Sequence, residues 1–322
     1  MVVVAAAVGG AVLLSRDSGP APGKGIVFQA EVDGVYQLFR IDPDGSGLKQ
    51  LTHIQVRRRG IEGAKQAVWS PDGKRIAFDS DYRRTKYRMN TLYAIRPDGT
   101  DLEQLPIELG RFIGAPAYSP DGKLLSFTWD ASNDRGHQQG IYLASADGSE
   151  LRRLTRIEQP NGLVDKPNWS PDGRWLVFTQ RSGDTEGVIV RMRPDGTGRR
   201  ELTPWALNAS NAKWSPDGSR IAFNSYNGPG PHPGESANVF TVKPDGSGVV
   251  QLTHYRGGTR NAYAGGWSPD GRQLLVHVLD ADAGGQSLNQ LFVMDADTGR
   301  MRQLTHMPPG SNPGFASWSP AG

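Results

Sequence analysis

Residues 69–78 read WSPDGKRIAF, and near copies stand at 118–127 (YSPDGKLLSF), 169–178 (WSPDGRWLVF), 214–223 (WSPDGSRIAF) and 267–276 (WSPDGRQLLV), with WSPAG at 318–322. Within each full copy Pro presets φ at the first central position of a turn, Asp suits the second, and Gly takes the left-handed position that lets the chain fold back. The apolar pairs that follow, such as Ile76/Phe78 and Leu125/Phe127, alternate with period two, so each marks a strand. A second motif lies between the copies, as in LFRIDPDGSGLKQLTH at 38–53 and VFTVKPDGSGVVQLTH at 239–254, and reads as strand, tight turn, strand. Each repeat of about 50 residues therefore holds four short strands, A to D, with A ending at the aromatic. Four strands per repeat predict a propeller blade, and the fold class is all-β: a six-bladed β-propeller of four-stranded antiparallel blades.

The chain ends test this independently. Trp318 to Gly322 supply strand A of a last blade, and Lys24 onward continues it, with Ile26 and Phe28 in the register of Ile76 and Phe78. Closure by pairing the N- and C-terminal strands leaves no open sheet edge. Composition agrees: 41 Gly and 23 Pro in 322 residues disfavour long helices. Without cysteine there can be no disulfide framework, thiolate metal site or thiol nucleophile. Ahead of the propeller at 24–322, residues 1–23 hold an uncharged apolar run, Val2 to Leu14, followed by a polar Pro/Gly linker. The run is shorter than a spanning helix needs and reads as a signal-like or membrane-anchor segment, which implies a periplasmic or extracytoplasmic protein with a possible N-terminal tether.

The aromatic-SPDG turn, the following IxF strand and the PDG and LT elements resemble the TolB-like β-propeller repeat. The resemblance covers residues 24–322 and concerns the propeller part only, without the α/β domain that precedes it in TolB. It implies a non-enzymatic extracytoplasmic binding or scaffold module that takes a protein or peptide on its loop face and axial channel.

An up-and-down meander puts the A–B and C–D turns on one face and the longer B–C and D–A connections on the other, where function should sit. Two of those connections are basic: Arg57, Arg58 and Arg59 in one, and Arg83, Arg84, Lys86 and Arg88 in the other. Stretches 55–66 and 79–88 together carry +5, against +3 for the whole chain. Connectivity places both on the loop face, and Tyr82 and Tyr87 interleave the cations. The expected partner is an envelope protein or peptide, or an anionic saccharide, and not nucleic acid; the chain is expected to be a monomer. Positions four and three before each aromatic should approach the axis, and there Lys65, Lys166 and Tyr263 suit a carboxylate or hydroxylated ligand. With one carboxylate, Asp165, among those positions, an axial calcium site is not expected. Nor is any other metal or cofactor, since the LTH histidines His53, His254 and His306 fall at the rim of separate blades. No GxSxG or HExxH motif occurs. A chain of 322 residues filled by the propeller leaves no room for an added hydrolase domain, so no enzyme activity is expected. The alternative is a propeller-type polysaccharide lyase of the oligogalacturonate kind, or a saccharide-binding protein, drawing on His137, His232 and His277 near the B–C loops.

Overall fold

A computed structural model describes residues 25–320 apart from 56–61, 83–89, 108, 110–111, 131–138, 156–161, 183–185, 227–235 and 282–287. It forms six four-stranded antiparallel sheets, each in the order A-B-C-D. The first blade joins Gly314–Trp318 to Ile26–Val32, with Ile26 opposite Trp318, so the ring closes as the repeat arithmetic requires. The A strands of the other blades are Ala64–Trp69, Phe112–Tyr118, Gly162–Trp169, Ser210–Trp214 and Arg260–Trp267. Each A strand touches those of its neighbours, which makes them the inner ring. Among the described residues the one helical element is a 3₁₀ turn, Trp205–Leu207, and no helix is long and apolar enough to cross a membrane.

The SPDG turns form as their chemistry dictates. In the second blade Ser70 Oγ donates to Asp72 Oδ1 (2.6 Å), the Gly73 N–H donates to Ser70 O (2.9 Å), and Gly73 sits at φ +68°. The bonds that these Asp carboxylates accept pull their pKa values below the ordinary one, to about 2 at Asp217. The LT motif has a separate reason. Thr52, Thr155, Thr203, Thr253 and Thr305 each accept, at 2.8–3.0 Å through Oγ1, an N–H from within strand C: those of Leu38, Ile141, Ile189, Val239 and Leu291. These bonds hold the short outer strand onto the blade.

Strand B is buried on both sides because each blade is covered by two others. Ile76 and Phe78 pack towards the first blade, whereas Ala77 faces the third. The Phe of strand B stacks on a strand C aromatic in four blades, as in Phe78–Tyr93 (5.8 Å) and Phe223–Phe240 (5.6 Å). A buried Phe contributes roughly 1.5–3 kcal/mol, so repeating this pair around the ring supplies much of the core.

The inner strands carry a shared irregularity. In each, two residues oppose one on strand B, a β-bulge centred two or three residues before the aromatic. Five bulges place a non-glycine residue in left-handed geometry: Gln66, Ala115, Lys166, Asn211 and Phe315, with φ between 45° and 58°. Such a conformation costs roughly 1–2 kcal/mol per residue. A clasp to the preceding blade offsets it. The N–H of Gln66, Lys166, Asn211 and Ala264 donates to the side chain of Gln29, Thr128, Thr179 and Asn224 respectively, at 2.7–3.2 Å. Asp79 fills the same slot facing Ala115, and His277 fills it beside Gly314.

Candidate binding site in the channel and on the loop face

The bulges turn backbone and side chains towards the axis and divide the ring's hollow into two connected cavities. The outer one, of about 420 Å³, opens among Asn208, Arg181 and Tyr226, which flank D–A and B–C connections, so it is the vestibule of the loop face. The inner one, of about 280 Å³, runs towards Pro71, Pro171 and Pro216 of the SPDG turns. Lys166, Asn211, Ala264, Gly265, Phe315 and Ala316 border both and form the throat. The lining includes Lys166 and Lys213 within, and Arg181 above; no acidic side chain lines either cavity among the described residues.

Lys166 comes from the bulge of the fourth blade, where its N–H is held by Thr128 Oγ1 (3.2 Å), and its Nζ lies 5.3 Å from the centre of the Phe315 ring. Lys213, just before Trp214, is half-buried in the wall of the inner cavity. Burial, then the charge of Lys166, pull its pKa down to about 8, with Asp165 acting in the opposite sense. Asp165 faces Arg181 at 4.0 Å. Tyr263 stands in the vestibule wall directly across from His277, ring centres 5.7 Å apart. Burial, reinforced by Tyr226, raises the Tyr263 phenol well above its usual value. Burial also pulls His277 down to about 4, so the imidazole is neutral at neutral pH, with Nε2 unpartnered. Lys65, in the inner strand of the second blade, borders neither cavity and is ion-paired with Glu62. Burial lowers the Lys65 pKa, but Glu62, Asp79 and Asp81 outweigh it and the net shift is upward.

The seven cations of the basic loops, Arg57, Arg58, Arg59, Arg83, Arg84, Lys86 and Arg88, lie outside the described residues, as do His137, His232 and segment 1–23. Their roots are described and are tied together. The N–H groups of Glu62 and Gly63, at the end of one connection, donate to the Asp81 carboxylate at the start of the other (2.9 Å each). The join needs glycine at position 63, at φ +98°, because a Cβ there would lie 2.2 Å from Tyr36 O. His53, His254 and His306 are at the exposed rim.

Inspection of the sequence missed Lys213, Arg181 and Tyr226. A signal for Lys213 existed: in a strand, positions one and three before the aromatic share a face, so Lys213 belongs with the axial set that includes Asn211. Arg181 and Tyr226 follow strand B at places the repeat leaves free, and nothing marked them.

Residues 107–258 match the family model "TolB beta propeller domain". Together with the six closed blades, this match makes the chain similar in repeat and fold to the TolB propellers. Its fold is that of a TolB-like β-propeller. The TolB-like propeller is 33% identical over 123 residues to an uncharacterised protein of Agrobacterium fabrum, covering 37% of this chain and 41% of that one. It is 35% identical over 97 residues to the Tol-Pal system protein TolB of Anaeromyxobacter dehalogenans, covering 28% of this chain and 19% of that protein. The chain therefore spans less than half the length of these relatives. Among solved structures it superposes on TolB from Acinetobacter baumannii with a TM-score of 0.69 at 21% identity, covering 94% of this chain and 68% of that one. It superposes on an oligogalacturonate lyase in complex with manganese with a TM-score of 0.56 at 18% identity, covering 88% and 74%. At such identities these two likenesses are of fold.

Proposed function

We propose that this TolB-like propeller is a non-enzymatic binding or scaffold module of the periplasm or cell envelope, taking a protein or peptide segment onto its loop face. The observation that carries this reading is the vestibule. It is a preformed hollow with apolar Leu275, Leu291 and Phe315, phenols at Tyr226 and Tyr263, and cations at Lys166 and Arg181, open to the face where the two basic segments are rooted side by side. Apolar walls with a few fixed polar groups make a binding site. The cations of the rooted segments would draw an acidic partner towards it. The histidine of the vestibule is a poor general base, because a group held near pKa 4 takes up protons weakly at neutral pH.

The test is capture of envelope partners by the full chain, followed by association kinetics at low and high salt. Replacing Arg57, Arg58 and Arg59 together with Ser should slow association of a captured partner, and the effect should fade as salt screens it. Site-specific photocrosslinking from Tyr263 should reach the same partner. Crosslinks confined to the turn face would place binding elsewhere. Manganese-dependent release of an unsaturated uronide would show a lyase instead.

A further inference from the structure

The cations in the middle of the ring have no counter-charge. Neither the Lys166 nor the Lys213 ammonium has an ion pair or hydrogen bond among the described residues, and both border the inner cavity. Lys166 rests over the Phe315 ring, and the carboxylate nearest in its effect on Lys213, Asp165, faces Arg181. Placing two like charges in one partly desolvated hollow is unfavourable unless an anion joins them. The backbone fixes where they are. Lys166 is held in left-handed geometry by its clasp, and Lys213 follows the next bulge, its carbonyl accepting Trp267 Nε1–H (3.0 Å). Asn168 borders the same cavity; its Oδ1 accepts the Trp214 N–H (2.8 Å), which leaves Nδ2 free as a further donor.

We propose that the throat is a seat for a carboxylate: an organic acid, either the free C-terminus of a peptide or a small free acid, enters from the loop face and rests its carboxylate between Lys166 and Lys213. This rests on the binding reading above and names the chemistry recognised at its deepest point. Two lysines on neighbouring strands act as point charges and suit a compact anion, carboxylate or phosphate alike, so the neighbouring wall decides between them. The wall just above presents the exposed Phe315 ring and the partly exposed rings of Tyr226 and Tyr263, which receive a hydrocarbon body. That wall favours an acid with an apolar chain over inorganic phosphate.

The test is calorimetry with the full chain and four probes: acetyl-Gly-Gly-Ala-Leu with a free C-terminus, the same peptide as its C-terminal amide, hexanoate, and inorganic phosphate. The free-acid peptide is expected to bind at least about tenfold more tightly than the amide, the size of one charge-assisted contact. Lys213→Gln and Lys166→Gln should each erase that difference, and Lys213→Arg should restore part of it. Bound peptide should also slow reductive methylation of Lys213, a readout independent of affinity. Hexanoate matching the peptide would identify a free acid as the natural source, and much weaker hexanoate binding would identify a chain terminus. Equal binding of acid and amide, tighter binding of phosphate, or no binding of peptide or hexanoate would each overturn the seat. The binding reading survives any of these if the captured partner still crosslinks at Tyr263. It falls on its own if no partner reaches the loop face.

Discussion

The inter-blade clasp makes one substitution sharply informative. Of the six side chains in this slot, Gln29, Thr128, Thr179, Asn224 and His277 are neutral at neutral pH, and the sixth, Asp79, is a fully buried carboxylate. Burial raises the Asp79 pKa to about 6, against the opposing help of a hydrogen bond from Asn90 Nδ2 (2.7 Å), the charge of Lys65 and the Ala115 N–H. A shift from 3.8 to about 6 corresponds to roughly 3 kcal/mol of stability withheld once the group is ionised. Because the folded pKa lies above the unfolded one, this contribution is present below about pH 4 and lost as pH rises through about 6. Asp79→Asn should remove the penalty without breaking the clasp, for Asn224 already accepts the Ala264 N–H at 2.7 Å in the equivalent slot. Lys65 keeps Glu62 as its partner. The variant should therefore be more stable than wild type by about 1–3 kcal/mol near pH 7.5, with the advantage shrinking towards zero near pH 4. Guanidinium unfolding of both proteins at several pH values measures this, and titration elsewhere cancels in the difference. An advantage independent of pH, or a loss of stability near pH 7.5, would refute the account of Asp79 as an ionised clasp.

His277 carries the opposite sign. Its folded pKa of about 4 is below 6.5, so its contribution is present above pH 6.5 and lost as pH falls through about 4; His277→Asn should flatten acid unfolding of the wild type across that interval by up to roughly 3 kcal/mol. Trp169→Ala should cost about 3–5 kcal/mol in denaturant melts, since the indole is buried and its Nε1–H donates to Ser126 Oγ (3.0 Å) across the blade interface. Deleting residues 314–322 unpairs Ile26–Val32 and opens the ring. A thermal midpoint unchanged by that deletion would contradict closure as a source of stability.

The fold could be read from the sequence because its determinants are local and repeated. Ser70, Pro71, Asp72 and Gly73 make a turn whatever surrounds them, and Ile76 with Phe78 alternates as any strand with a buried face must. The bulges could not be read this way. Nothing in the local preference of Gln66, Ala115 or Lys166 calls for left-handed geometry, which a neighbouring blade supports by offering an acceptor to the N–H so exposed. The Thr of LT was legible as a strand end, though its bond to an N–H of strand C was not. Tyr263 borders the vestibule, whereas Lys65 borders neither cavity. What they do depends on Glu62 and on Tyr226, and the sequence does not reveal either pairing.

The same repetition explains why the candidate site is asymmetric. A ring of identical blades would present six equivalent residues at each level of the channel, and would concentrate or dilute charge uniformly. Here the level of the bulge carries glutamine, alanine, lysine, asparagine, alanine and phenylalanine in turn. The level nearest the aromatic carries valine, alanine, asparagine, lysine, glycine and serine. Both lysines fall on the fourth and fifth blades, with the Phe315 ring beside Lys166 and two glycines, Gly265 and Gly266, keeping the sixth blade's wall open. None of these side chains is needed for the turns, the clasp or the core, because sister blades manage all three with other residues. Charge that structure does not require, gathered on one side of a preformed hollow and left without a counter-ion among the described residues, is the physical ground for placing recognition there.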